Sequence, residues 1–206
     1  MKDISALMRA APVIPVLIIE DAAHARPIAE ALVEGGLPVL EVTLRTPCAL
    51  EAIAEMRAVE GAIVGAGTVL GPASLGDALA AGSEFIVSPG LTEPLGDAAI
   101  ESGIPFLPGV ANAGDIMRGM DMGLSHFKFF PAEASGGIKA LKAITGPFGE
   151  ARFCPTGGVT QASAPDWLAL DPVLCVGGSW LVPKGAAPDT DAITQAAKAA
   201  SALRAS

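Results

Sequence analysis

The chain has 206 residues, 51% of them hydrophobic, with 13 Lys and Arg against 22 Asp and Glu for a net charge of −9. That length suits one domain, 1–206, with a sizeable core, and an acidic chain with no basic stripe is not an ordinary nucleic-acid binder. The mean hydropathy is +0.50, yet no apolar run approaches the ~20 residues that span a bilayer, so the excess fits strands buried on both faces rather than a membrane protein.

The first residues carry Asp3 early and no small-residue cleavage site, and read as a short N-terminal helix leading into a strand, not as a signal peptide. From there short apolar runs alternate with helix-like runs. Strand candidates are residues 13–19, 39–44, 62–67, 84–89, 105–110, 126–130, 151–156 and 172–177. Eight β-then-α units predict a parallel α/β fold closed as a (β/α)8 TIM barrel. The chain is short for that barrel, so its loops must be lean. An open doubly wound sheet is disfavoured because no GxGxxG loop follows the first strand.

Helix signals fall between the strands. Thr46-Pro47 opens one helix, with Pro47 suited to its first turn. Gly71-Pro72 opens the next and Gly82 closes it; Thr92-Glu93-Pro94 opens another that ends at Gly103. Asn112 starts a helix ended by Gly123, Thr160 begins a short one before Trp167, and an alanine-rich helix runs from Asp189 to Ala205. Cys48, Cys154 and Cys175 lie far apart without metal spacing, and His24 and His126 are too few for a histidine metal site. An odd, sparse cysteine set points to a reducing compartment, hence the cytoplasm.

Chemistry in barrels gathers at the C-terminal ends of the strands. In the second strand, alternation puts Glu41, Thr43 and Arg45 on the inward face, with Leu40, Val42 and Leu44 against the helices. An inward carboxylate is a candidate base and a guanidinium at a strand end a candidate carboxylate fork; alternatively the two form an internal ion pair that only holds structure. The third strand ends Gly65-Ala66-Gly67-Thr68 and the fourth Ser88-Pro89-Gly90, small residues that leave room for a ligand. Lys128 sits in the middle of His126-Phe127-Lys128-Phe129-Phe130, where alternation sends His126, Lys128 and Phe130 to one face. An amine kept from water among aromatics is the type that attacks a carbonyl; the other reading is an edge-strand lysine with its head in solvent.

The seventh strand ends Thr156-Gly157-Gly158 and the eighth Gly177-Gly178-Ser179. Two Gly-Gly turns followed by helix starts offer amides and a positive dipole end, the recurrent phosphate site of this barrel; otherwise they are tight turns that need glycine. One amine, one carboxylate, one guanidinium and an anion cradle together describe a site for a phosphorylated 2-keto sugar acid.

The segments FKFFPAE (127–133), PTGGV (155–159), VGGSWLV (176–182), GAGTVL (65–70) and FIVSPG (85–90), with Glu41 and Arg45, strongly resemble the 2-keto-3-deoxy-6-phosphogluconate (KDPG) aldolase family over essentially the whole chain. The resemblance implies a class I aldolase of the Entner–Doudoroff pathway, a homotrimeric barrel with no metal or organic cofactor. It implies Lys128 as the Schiff-base lysine, Glu41 as general acid/base and Arg45 as the carboxylate ligand. Thr68, Pro89 and Phe130 fall on the pyruvate pocket, Thr156 on the substrate, and Gly157, Gly158 and Ser179 on the phosphate. Cleavage of 4-hydroxy-2-oxoglutarate or of the galactonate epimer, a phosphate-binding isomerase or epimerase, and a non-catalytic phospholigand-binding barrel are the competing readings.

Overall fold

The computed structural model describes residues 3–183 and 187–203. The elements run α1 (Ile4–Ala10), β1 (Val13–Leu17), a 3-10 turn (Ala22–His24), α2 (Ala25–Glu34), β2 (Val39–Thr43), α3 (Ala49–Arg57), β3 (Ile63–Gly67), α4 (Pro72–Ala80), β4 (Ile86–Val87) and α5 (Glu93–Ser102). They continue with β5 (Phe106–Leu107), β6 (Gly109–Val110), α6 (Ala113–Asp121), β7 (His126–Phe129), α7 (Gly137–Thr145), β8 (Arg152–Pro155), α8 (Ala164–Leu168), β9 (Val176–Gly178) and α9 (Thr190–Ser201). Among the described residues, one sheet has the order β5-β4-β3-β2-β1-β9 and a second the order β6-β7-β8, with parallel pairing throughout.

The two sheets are arcs of one barrel. β5 and β6 are halves of a single stave broken at Pro108, which has no N–H to give a ladder; its carbonyl still accepts from the Lys128 amide at 2.8 Å. On the other side the chain around β8 is joined to the segment leading into β9 by the isolated parallel bridges Phe153↔Val173 and Thr156↔Gly177, where Val173 precedes β9 and Thr156 follows β8. The predicted staves are therefore all present, but regular laddering lapses at two seams.

Side chains sort by strand parity into two apolar groups. Leu40, Val42, Phe127, Phe129 and Phe153 point outward into the layer between strands and helices, where Phe127 meets Phe153 at 6.0 Å between ring centroids and Phe129 meets Trp167 at 6.3 Å. Ile14, Val39, Phe85, Val87, Leu107, Cys154 and Cys175 form a smaller cluster inside, closed from below by Leu7 and Met8 of α1. Asp3 caps α1 by accepting from the Ala6 amide at 2.7 Å. The N-terminal helix thus plugs the barrel floor.

Several boundaries differ from expectation. α3 begins at Ala49 with Cys48 as its cap, so Pro47 lies in the preceding turn and not in the helix. Thr160 and Ser163 bond to each other, Thr160 Oγ1 to Ser163 Oγ at 3.2 Å and the Ser163 amide to Thr160 Oγ1 at 3.1 Å; this local turn competes with helix and delays α8 to Ala164. Asp189 caps α9 rather than starting it, the helix ends at Ser201, and Ala205 lies outside the described residues.

His126 opens β7 opposite Arg152 of β8 and is half-buried, with its Nδ1 3.1 Å from Ser125 Oγ. Burial is the main cause that holds its pKa below the ordinary 6.5; the Asp3 carboxylate opposes this, and Arg152 and Arg9 reinforce it. The folded protein therefore keeps the imidazole neutral while the unfolded chain takes up a proton first, so stability present above pH 6.5 is lost as pH falls below it. Urea unfolding across that range should show a falling midpoint, with a shallower fall in His126→Gln.

Candidate active site

Lys128 and Glu41 meet inside the barrel. Register brings β7 beside β6, with Lys128 opposite Gly109, while β2 carries Glu41 opposite Gly65 of β3 and Val16 of β1. Both residues stand on the inward rows. Their side chains are only 7% and 4% exposed, and Lys128 Nζ donates to Glu41 Oε1 at 2.8 Å and to Oε2 at 3.1 Å. The ammonium also lies 5.5 Å from the centroid of the half-buried Phe130 ring, within cation–π range. A full charge so enclosed is tolerated only because the opposite charge sits in the same enclosure.

Beyond Glu41 the inward row holds at Thr43 and is lost at Arg45. Thr43 is buried and its hydroxyl donates to the Leu17 carbonyl at 2.8 Å, tying β2 to β1. The strand then stops, the Arg45 amide turns back to the Thr43 carbonyl at 2.8 Å, and Arg45 stands exposed beyond the strand's C-terminal end. No ion pair joins Arg45 to Glu41 among the described residues; the carboxylate belongs to Lys128.

The small residues of β3 also serve a different purpose from the one expected. A Cβ on Gly65 would strike the Phe85 ring, and one on Gly67 would strike the Glu41 carboxylate. Both glycines make room for protein side chains and not for a ligand; Gly67 is the vacancy that lets Glu41 lie flat toward Lys128. Thr68 follows with φ 60, the one left-handed non-glycine among the described residues. A β-branched residue there is strained by about 1–3 kcal/mol, and such strain clusters at functional sites. Pro89 is half-buried past β4, with its carbonyl pressed against Gly109 beside Lys128.

At the far side, Thr156 lies buried above Cys154, with its hydroxyl 3.4 Å from the Cys154 carbonyl. Gly157 and Gly158 have φ 98 and 84 and form a true glycine turn. The second pair differs. Gly177 and Gly178 belong to β9 itself, and their lack of a Cβ admits the Thr156 side chain and the Trp180 indole. Among the described residues neither pair opens directly onto a helix, since α8 starts at Ala164 and α9 at Thr190, so no helix N-terminus there adds the expected dipole. Ser179 is exposed just past β9. Gly67 is a residue whose part is invisible in the sequence, because it makes room for a side chain distant along the chain.

An inward, enclosed lysine–carboxylate pair on parallel barrel strands, in a barrel that also carries a strained threonine and a glycine turn past its strand ends, is the setting of a barrel enzyme. A sequence model of the KDPG and KHG aldolases matches residues 4–196, and the chain belongs to that family. It is 61% identical over 204 residues to the 2-dehydro-3-deoxy-phosphogluconate aldolase of Zymomonas mobilis, covering 99% of this chain and 98% of the relative. The crystal structure of the 2-keto-3-deoxy-6-phosphogluconate aldolase of Zymomonas mobilis ZM4 with 3-phosphoglycerate superposes with a TM-score of 0.97 at 61% identity, over 99% of this chain and 97% of that one. The KDPG aldolase of Legionella pneumophila, with pyruvate captured as a covalent carbinolamine, gives 0.94 at 46% identity, over 98% and 99%.

Removing one member of a buried pair strands the other charge, whereas replacing both with apolar groups does not. Lys128→Met and Glu41→Leu should each cost about 3–5 kcal/mol in urea unfolding, and the double variant should match the native protein or exceed it by up to about 4 kcal/mol.

Proposed function

We propose that the protein is a class I aldolase that cleaves 2-dehydro-3-deoxy-6-phosphogluconate to pyruvate and D-glyceraldehyde 3-phosphate, the Entner–Doudoroff step, through an imine on Lys128. The observation that carries this reading is the enclosed Lys128–Glu41 pair. The substrate for which the Zymomonas relative is named and the carbinolamine of the Legionella enzyme support it.

The steps follow from the pair. Lys128 Nζ donates to both carboxylate oxygens, so one proton passes to Glu41 and frees the amine lone pair. The amine adds to the C2 ketone, Glu41 returns its proton to the C2 oxygen and relays a second one to it from the nitrogen, and the oxygen leaves as water to give the iminium. The iminium then draws the electrons of the C3–C4 bond, while Glu41, through a water, takes the C4 hydroxyl proton and the aldehyde departs. Glu41 hands a proton to C3 of the enamine, and hydrolysis releases pyruvate and the amine. The iminium is itself the electron sink, so the sequence of steps calls on no metal or organic cofactor.

Arg45 holds the C1 carboxylate from the rim, and Thr68, Pro89 and Phe130 wall the pyruvate portion. Thr156 meets the substrate beyond the cleaved bond, and Gly157, Gly158 and Ser179 hold the phosphate through backbone amides and the serine hydroxyl. The chain works as one barrel domain over 1–206. Incubation with pyruvate and borohydride should leave a reduced adduct on Lys128 by mass spectrometry; no adduct, or one on Lys139 or Lys142, removes the assignment. Glu41→Gln should lower kcat by about 10²–10⁴-fold while some adduct still forms.

The assembly is a homotrimer in the cytoplasm. Leu79 on α4, Ile100 on α5, and Met117 and Met120 on α6 are exposed on successive outer helices, with Leu70 just ahead of α4, a concentration of apolar side chains that suits a subunit interface. Cys48, Cys154 and Cys175 are free thiols, as a reducing compartment requires. No described helix is long and apolar enough to cross a membrane. Sedimentation equilibrium should return three times the chain mass, and Met117→Glu should shift the protein toward smaller species.

A further inference from the structure

Glu133 closes the FKFFPAE segment, three residues past Phe130, the first member of the cis Phe130–Pro131 peptide, and outside the groups proposed to touch substrate. Its exposure suggests a solvated carboxylate, yet its contacts are specific. Oε1 accepts from the indole Nε1–H of the fully buried Trp167 in α8 at 3.0 Å. Its amide donates to the Gly157 carbonyl at 3.0 Å, and the neighbouring Ala132 amide donates to the Thr156 carbonyl at 2.8 Å. Its Cβ and Cγ occupy the space above Gly158, where an added Cβ would approach them to 2.7 Å.

One side chain and its backbone therefore clasp three pieces of chain: the loop leaving the Lys128 strand, the Gly157–Gly158 turn, and the helix after that turn. Apart from the Phe130 ring and the Pro131 backbone that lie against Gly157, the clasp is what the structure shows setting the turn. Its glycines carry no side chains, and α8 starts too late to hold it directly. We infer that Glu133 is a positioning residue that sets the Gly157–Gly158 turn against the end of β7, and so governs how tightly the phosphate end of the substrate is held. The inference rests on the assignment of that turn to phosphate binding.

The position of the clasp predicts a selective defect. Lys128 and Glu41 are joined to each other from β7 and β2, below the clasp, so imine chemistry does not depend on it. The test uses condensation of pyruvate with D-glyceraldehyde 3-phosphate and with D-glyceraldehyde, aldehydes that differ only in the phosphate. Glu133→Ala is expected to raise KM for the phosphorylated aldehyde about tenfold, roughly one lost hydrogen bond, with KM for glyceraldehyde and borohydride trapping of pyruvate changed by less than about twofold. Glu133→Gln, whose amide oxygen still accepts from Trp167, should restore most of the native KM. Trp167→Phe, which keeps a ring and removes the donor, should reproduce the selective defect if Glu133→Ala does not fold. An equal loss on both aldehydes and in trapping, no change for the phosphorylated one, or no rescue by glutamine overturns the inference. If the native enzyme does not favour the phosphorylated aldehyde, the phosphate assignment itself fails and the clasp falls with it; a native preference without the selective defect sinks the clasp alone.

Discussion

The Lys128–Glu41 pair is the constraint to which the rest of the barrel interior answers. Two charges taken out of water cost several kcal/mol each before their attraction is counted, and the pair is worth having only if the geometry is good. The interior supplies that geometry through small choices elsewhere. Gly67 vacates the space that the carboxylate occupies, and Gly65 lets Phe85 fill the volume below. The Pro108 carbonyl holds the Lys128 amide across the broken stave. A fold selected for stability alone would place apolar groups at both positions, so the pair is kept for what it does.

The barrel divides along its axis to accommodate it. The lower interior is apolar and sealed by Leu7 and Met8 of the N-terminal helix. The upper interior holds Glu41, Thr43, Lys128 and Thr156, all buried and polar. Among the described residues the apolar floor covers one side, and the loops at the ends of the strands carry the candidate substrate contacts. A chain of 206 residues can spare few residues for lids, and the plug makes that economy workable.

Period-two alternation in β2 and β7 made the inward placement of Glu41 and Lys128 legible from local sequence, because parity depends only on neighbours in the same strand. That the two share a site was legible from parity and the family resemblance; their direct hydrogen-bonded contact was not, since they are 87 residues apart and only register across the sheet joins them. Parity misled at Arg45, because the strand ends at Thr43 and a turn breaks the alternation. The Gly-Gly pairs look alike in sequence and differ in space: one is a left-handed turn, the other a strand whose neighbours need the missing Cβ. Glycine signals an absence, and only the surroundings reveal what fills it.

The competing reading of a barrel that merely binds a phospholigand fails on electrostatics. A lysine that attracts an anion must present uncompensated charge, as a compact cation facing the ligand does. Lys128 instead donates to both oxygens of a buried carboxylate, so the pair as a unit has no net charge to offer an anion. That cancellation weakens a binding site and suits a reactive one, where the carboxylate beside the amine is a ready proton acceptor at the moment a carbonyl arrives. The charge that would draw a phosphorylated acid inward must then come from the rim, where Arg45 stands exposed. In the proposed mechanism attraction and reaction thus fall to different cations, one in water and one out of it.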